Sequence, residues 1–381
     1  MKEKLISVVI PMYNCEEYMD RVLGSLLAQT YRSIEIVCVV DGATDATLAK
    51  VMAYAELHHS IKVISQTRSG AGVARNTGLA AARGEYVLFL DADDLYPERF
   101  LEKMVETADR TQADITVCQY LMQDGPSGQS SENNGFDRMA IKGGVLSPDN
   151  IPCLFSSVSP VPHNKLYRRS FILGHGLCFS KTASMNDVFF SDTSLASAER
   201  IAFIDENLYT YRFNHSQKTI SAHRWRHRYD LFSVFEELYQ FLQQQGVADA
   251  YSEAFCRKWK DACLYYLGFG RDDDAYIKAI ARYLSTQKPF CDLPDKELAR
   301  RAGLYAAWIQ LYALFVSKKD KRTRQICANR VYNIVQIRAE LAAGWGKKLK
   351  PREPFLVGVA WKLREYGLLR AIRRLAAGYG W

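Results

Sequence analysis

A chain of 381 residues with 48% hydrophobic and 12% aromatic residues can bury a sizeable core, which excludes a disordered or low-complexity protein. Its nine cysteines are scattered (15, 38, 118, 153, 178, 256, 263, 291 and 327) and never spaced as CxxC, which argues against a disulfide framework or structural zinc and for a reducing cytosol. The net charge of +8 is uneven: 16 Lys+Arg against 4 Asp+Glu from Ser317 to Trp381, a net +12, leave −4 for residues 1–316, so an anionic surface is the expected partner of the tail.

The first third alternates. "LISVVI" (5–10) reads as a strand, and residues 16–29 as a helix with Val22, Leu23, Leu26 and Leu27 on one face. "IEIVCVV" (34–40) is a second strand, and 45–57 a helix with Asp45 placed to cap it. "IKVIS" (61–65) is a third strand. Residues 71–82 form a helix entered through Gly70 and Gly72. "EYVLFL" (85–90) is a fourth strand, after which Pro97 opens a helix at its first turn. "ADITVCQ" (113–119) is a fifth strand. Cys38 and Cys118 lie in these apolar runs and are expected in the core.

Residues 123–150, rich in Gly, Ser, Asn and Asp, read as a long exposed loop. "HNKLYRRSFIL" (163–173) reads as a short helix, 184–198 as another, and "RIAFIDENLYTYRFN" (200–214) as two short strands. A boundary is expected near 222, with a catalytic domain over 1–222 and a helical, basic region over 223–381. The N-terminus does not read as a signal peptide. The apolar stretch 302–316 falls short of the ~20 residues that a spanning helix needs.

Apolar strands separated by helices predict an α/β fold with a mostly parallel sheet, buried on both faces. Ligands of such sheets lie beyond the C-terminal strand ends. Three unusual stretches fall there: "PMYN" after the first strand, "DGATD" after the second and "DADD" after the fourth. Clustered carboxylates repel, and burying one is costly unless it is paired; a solvated turn or a helix N-cap is the plain alternative, which the convergence of three such stretches at one edge disfavours. Carboxylates in such a turn can hold Mg²⁺ or Mn²⁺ with few protein ligands, since water and a diphosphate fill the other positions. No P-loop and no Gly-x-Gly-x-x-Gly follows the first strand.

The ordered set of motifs resembles the family 2 glycosyltransferases of the GT-A fold. "VVIPMYN" is similar to the family's opening strand and turn, and "VVDGATDAT" to its Asp-Gly-Ser-Thr-Asp turn. "SGAGVARNTGLAAARGEYVLFLDADD" resembles the stretch ending in its Asp-x-Asp motif. "NKLYRRSF" and "NDVFFSDTSLASAERIAFIDENLYTYR" resemble its acceptor-side half. The resemblance covers about residues 5–221. It implies that Pro11 and Tyr13 contact the donor, that Asp41 hydrogen-bonds a uracil ring, and that Arg75 pairs with a site carboxylate or a phosphate. Arg68 is a weaker candidate at the same edge. Asp91 is expected on the ribose or metal, Asp93 as the metal ligand itself, and Asp94 as a cap for the helix at Pro97. Asp187 is the expected general base, in a pair that reads Asn186–Asp187 where the family has Glu-Asp; Asp192 and Asp137 are the next acids in line. Val40 stands where the family often has a second acid beside Asp41.

The reading is therefore an inverting, metal-dependent (Mn²⁺ or Mg²⁺) glycosyltransferase that moves a sugar from a nucleotide diphosphate, expected to be UDP, to a glycan or lipid-linked glycan of extracellular polysaccharide, capsule or cell wall. Two rivals stay open: a sugar-nucleotide pyrophosphorylase, and a donor-binding protein of the same fold without turnover. In "FLVGVAWKLREYGLLRAIRRLAAGYGW" (355–381), apolar residues spaced by three or four with basic residues among them resemble an interfacial helix; a core-packing helix is the rival. A cytoplasmic protein, peripheral on the inner face of the plasma membrane and not bound to nucleic acid, is expected.

Overall fold

The computed structural model describes residues 3–125, 127–132, 134–213 and 226–267, all within one compact unit, Met1–Phe269. The expected boundary near 222, the apolar stretch 302–316 and the basic segment 355–381 lie outside the described residues.

In chain order the elements are β1 (Ile6–Met12), α1 (Met19–Leu27), β2 (Ile34–Asp41), α2 (Thr47–Leu57), β3 (Ile61–Gln66), α3 (Ala71–Ala81), β4 (Tyr86–Phe89) and α4 (Phe100–Thr111). Then come β5 (Ile115–Asp124), β6 (Ser130–Ser131), β7 (Gly144–Leu146), α5 (Leu154–Ser157), β8 (Lys165–Arg168) and α6 (Arg169–Gly174). The last are α7 (Asn186–Ser197), β9 (Ile201–Phe213), α8 (Asp230–Gln244) and α9 (Ser252–Leu267). The strands form one sheet in the order β3-β2-β1-β4-β8-β5-β9-β7, with β6 paired to β5. β1 runs parallel to β2 and β4, and β2 parallel to β3. These strands are apolar throughout because both faces are covered. One face carries Val8, Ile10, Cys38 and Leu88 against Met19, Leu23 and Leu26 of α1 and Phe100, Leu101 and Met104 of α4. Cys38 and Cys118 are both buried, as expected. On the other face Phe89 meets Phe179 and Phe190 edge-on, and Phe179 stacks on Phe190 at 4.0 Å. That cluster seats α7 on the sheet.

Three expectations are corrected. Residues 163–173 are not one helix: Lys165–Arg168 is a strand, antiparallel to both β4 and β5, and only Arg169–Gly174 is helical. Leu166 and Tyr167 are both buried, so the two-sided apolar pattern of a central strand mimicked a helical face. Residues 201–213 form a single strand, not two. The polar "DEN" (205–207) is absorbed as an irregularity opposite Cys118 and Gln119, with Ile204 paired to Cys118 and Asn207 to Gln119. Finally, Pro97 lies in a turn ahead of α4, where Phe100 N–H donates to the Pro97 carbonyl, and Asp94 does not cap that helix. Buried Gln29 does: its Oε1 accepts from Leu101 N–H at 3.0 Å while its Nε2 donates to the carbonyls of Tyr96 and Pro97. The 123–150 segment contributes β6, β7 and the end of β5 to the sheet edge.

Asp45 behaves as expected, accepting from Thr47 N–H at 3.0 Å at the start of α2. The six cysteines whose side chains are described are unpaired. Among the described residues no helix is long and apolar enough to cross a membrane.

The helices α8 and α9 pack against α7 and α5. Phe235, Phe255 and Trp259 join α8 to α9, and Ser184 N–H, just ahead of α7, donates to Asp230 of α8 at 2.8 Å. Lys258 of α9 reaches buried Asp192 of α7 at 2.6 Å. Burial pushes the Asp192 carboxyl up, and the Lys258 charge opposes that shift. Lys258→Met would leave the carboxylate buried and unpaired, so urea unfolding should show a loss of about 3–5 kcal/mol. The loss should shrink as pH falls from 8, because the carboxyl is raised by burial, takes up a proton more readily than an ordinary carboxylate and once neutral needs no cation. Arg257→Ala, which removes an exposed partner of Glu253, should change stability by no more than about 0.5 kcal/mol. Equal effects of the two substitutions would refute the buried-pair account.

Candidate active site

The C-terminal ends of β1, β2 and β4 and the start of α7 lie at one edge of the sheet. Two clusters of side chains form there.

The first is built on Asp41, the last residue of β2. Its carboxylate is buried and accepts four hydrogen bonds: from Gln66 Nε2 and Ser69 N–H on one oxygen, each at 2.8 Å, and from Arg68 Nη1 at 2.6 Å and Gly70 N–H at 2.8 Å on the other. Burial would push this carboxyl up, but the bonds from Gln66, Ser69 and Gly70 and the charge of Arg68 hold it below the ordinary carboxylate value. Gly70 adopts φ +96, a conformation that glycine tolerates, and this lets its N–H turn back to Asp41 ahead of α3. Arg68 then lies over the Tyr13 ring, 3.4 Å from its centroid. Tyr13 is 43% exposed. Pro11 sits two residues earlier in β1, opposite Val39. The expected Tyr13, Asp41 and Arg68 therefore meet, but the Asp41 oxygens are engaged by the chain's own donors.

The second cluster is built on Arg75 of α3. Its Nη2 donates to Asp91 Oδ1 at 2.7 Å and its Nη1 to Asn186 Oδ1 at 2.9 Å. One guanidinium thus joins the acidic turn after β4 to the first residue of α7, which lies 111 positions beyond Arg75 in sequence. Gly72 makes this approach possible, because a Cβ there would collide with the Ser180 carbonyl oxygen and crowd Asn186. Met185, just before Asn186, has φ 61, a strained value for a residue with a Cβ. Asp187 stands in the first turn of α7, half-buried, its Oδ1 accepting from Val188 N–H.

The acidic turn is sorted by environment. Burial would raise the Asp91 carboxyl, but Arg75 first and then His163 hold it far below the ordinary range. Asp94 is fully buried; burial and the like charges of Asp93 and Asp91 push its carboxyl well up. Its Oδ1 accepts from Arg212 N–H at 3.2 Å. The Asp93 side chain is half-buried, and its backbone carbonyl accepts from Arg21. His163, which no local motif marks as a site residue, lies 3.3 Å from Asp91 Oδ2 through Nδ1. The β4–β8 register explains it: Tyr86 faces Arg168, Val87 faces Tyr167 and Leu88 faces Leu166, so three more steps bring Asp91 to His163. Ligand atoms of Asp91, Asp94 and His163 all lie within 4.8 Å of one another. Asp94 Oδ2 and both His163 ring nitrogens are buried without a hydrogen-bond partner. Two carboxylates and an imidazole with unfilled valences fit a divalent cation. The trio includes Asp91 but not Asp93. Asp192, the fallback base, is buried on Lys258 and does not reach the edge.

The family model for glycosyl transferase family 2 matches residues 7–174. The chain is 32% identical over 259 residues to "Putative glycosyltransferase EpsH" of Bacillus subtilis (strain 168), covering 66% of this chain and 73% of that protein. It is 29% identical over 261 residues to "Uncharacterized glycosyltransferase EpsJ" of the same organism, covering 65% and 73%. Among solved structures, Staphylococcus aureus TarS 1–349 in complex with UDP-GlcNAc superposes with a TM-score of 0.51 at 20% identity, covering 81% of this chain and 90% of that one. The mannosyltransferase PcManGT of Pyrobaculum calidifontis, in complex with GDP-Man and Mn²⁺, gives 0.51 at 19% identity, covering 91% and 89%. These likenesses establish the GT-A type fold, a central sheet flanked by helices. With a relative above 30% identity matched over most of its length, and a family model aligned on the strands that build the sheet edge, the chain belongs to glycosyl transferase family 2.

Proposed function

We propose that this glycosyltransferase moves a sugar from a nucleotide diphosphate donor, a UDP-sugar, to a growing bacterial glycan, with inversion and with a divalent cation. The observation that supports this most is the Arg75 bridge, which gathers Asp91 of the acidic turn and the Asn186–Asp187 end of α7 at one place. Nucleotide sugars are bound by the two structural neighbours in their solved complexes, and the present edge has an exposed aromatic ring and an acidic turn to receive one.

In this reading Tyr13 and Arg68 meet the base. Asp41 acts on it indirectly, by ordering the Gln66–Gly70 segment and aiming Arg68. Pro11 shapes the strand end that presents Tyr13. Asp93 and Asp91 would hold the Mn²⁺ or Mg²⁺, which supplies charge neutralisation for the departing diphosphate. Arg75 keeps Asp91 ionised and oriented. Asp187, partly exposed at the start of α7, takes the proton of the attacking acceptor hydroxyl. Asn186 carries no charge, so Arg75 keeps more of its positive field than it would beside a Glu. The donor-holding and acceptor-side residues come from different chain halves, which suits in-line displacement at the anomeric carbon. The proposed domains are a catalytic domain over 1–222 and a region over 223–381 whose first helices, α8 and α9, pack on the catalytic body and whose basic C-terminus docks on an anionic membrane carrying a lipid-linked acceptor.

UDP release from a panel of UDP-sugars with Mn²⁺ tests the donor assignment; turnover restricted to GDP- or dTDP-sugars would refute it. Asp187→Asn should lower transfer by about 10²–10⁴ with little change in donor affinity. Transfer preserved within a few-fold would remove Asp187 from the role of base. Asp93→Ala should abolish the Mn²⁺-dependent part of UDP binding measured by calorimetry, with an unchanged circular dichroism spectrum; undiminished affinity would discard Asp93 as a ligand. Deleting residues 350–381 should leave donor binding intact and reduce co-sedimentation with phosphatidylglycerol vesicles. Equal sedimentation of the truncated chain would favour a core-packing helix.

A further inference from the structure

We propose that His163 is a nitrogen ligand in a cation site completed by Asp91 and Asp94, and that this imidazole, rather than the acidic turn alone, decides which ion is held. The inference rests on the reading of the acidic turn as a cation site and adds to it two residues, one of them 69 positions beyond the turn and joined to it only by strand pairing.

Four observations carry it. The ligand atoms of the three residues already lie within 4.8 Å of one another. His163 is 97% buried, being 3% exposed, and neither ring nitrogen has a hydrogen-bond partner. Asp94 is fully buried and keeps Oδ2 unpartnered. Buried polar atoms in proteins are mostly satisfied, and an imidazole and a carboxylate oxygen orphaned beside each other point to a bound group. Lastly, the ring is held by aromatic packing that offers its nitrogens no bond: it stacks on Tyr211 at 5.2 Å and 17°, and meets Tyr209 and Tyr120 edge-on at 5.3 and 5.9 Å. A ligand fixed in this way loses little entropy on binding an ion.

The donor set selects by chemistry. Mg²⁺ and Ca²⁺ take oxygen ligands. Imidazole suits first-row ions, and two carboxylates with one imidazole suit Mn²⁺, Fe²⁺ or Co²⁺. Arg75 occupies Oδ1 of Asp91 and leaves Oδ2 on the His163 side, so the arginine and the ion do not compete for one oxygen.

The test uses the full chain with Mn²⁺ alone and no nucleotide. Pulsed EPR should show ¹⁴N coupling of a directly bound imidazole, and growth on ¹⁵N-histidine should convert it to the ¹⁵N pattern. The coupling should vanish in His163→Gln and in Asp94→Asn. By calorimetry Mn²⁺ should bind at least about 10-fold more tightly than Mg²⁺, with the ratio collapsing in His163→Gln. The isotope experiment reads the native chain, so it holds even if a variant fails to fold. Mn²⁺ bound with no histidine coupling, or with coupling that survives His163→Gln, overturns the inference while leaving metal-dependent transfer standing. Failure of the chain to bind Mn²⁺ overturns this inference, and UDP-sugar turnover in EDTA overturns metal dependence as a whole.

Discussion

A single guanidinium organises the catalytic edge. Arg75 is almost wholly buried, and both of its terminal nitrogens are committed, one to Asp91 and one to Asn186. Such a charge is tolerated only when its partners stay in place, so the position of the acidic turn, the angle of α3 and the start of α7 are coupled. Charge-assisted bonds at 2.7 and 2.9 Å are strong enough to set that geometry. The small residues around it follow: Gly72 lets α3 approach Asn186, and Gly70 turns the chain so that Asp41 can hold the preceding loop.

The sheet serves the same end. β8 is inserted antiparallel between β4 and β5, and that reversal carries the residues before it, His163 and Asn164, to the C-terminal edge. Lys165 locks this segment: its buried ammonium donates to the carbonyls of Ser159 and Val161 and to Asn164 Oδ1. Asn164 in turn donates to the Cys118 carbonyl. These bonds hold the segment that presents His163 to the acidic turn.

The helices beyond β9 are part of the same body. α8 and α9 cover α7 through aromatic contacts and the Asp192–Lys258 pair. Asp187 and Asp192 lie five residues apart on one helix yet have opposite fates. The first stands half-buried at the helix start, and the second is sealed under α9. Burial and partner choice divide them; residue type does not.

The amino-acid sequence by itself determined the parallel half of the sheet, the acidic turn at its edge and the helix that begins at Asn186. Those features are local: uninterrupted apolar strands, turn residues and helical periodicity are written within ten or fifteen consecutive residues. It also determined family membership, since the motifs carrying the resemblance are short and ordered. Tertiary structure alone decided the rest. "KLYR" is a strand because two neighbours leave a gap that it fills, and "DEN" stays in a strand because β5 tolerates an irregular register. His163 faces Asp91, and Arg75 reaches Asn186, through pairings that span 72 and 111 positions. No local pattern encodes such distances, because strand register and buried charge pairing are settled only when the whole sheet has closed around them.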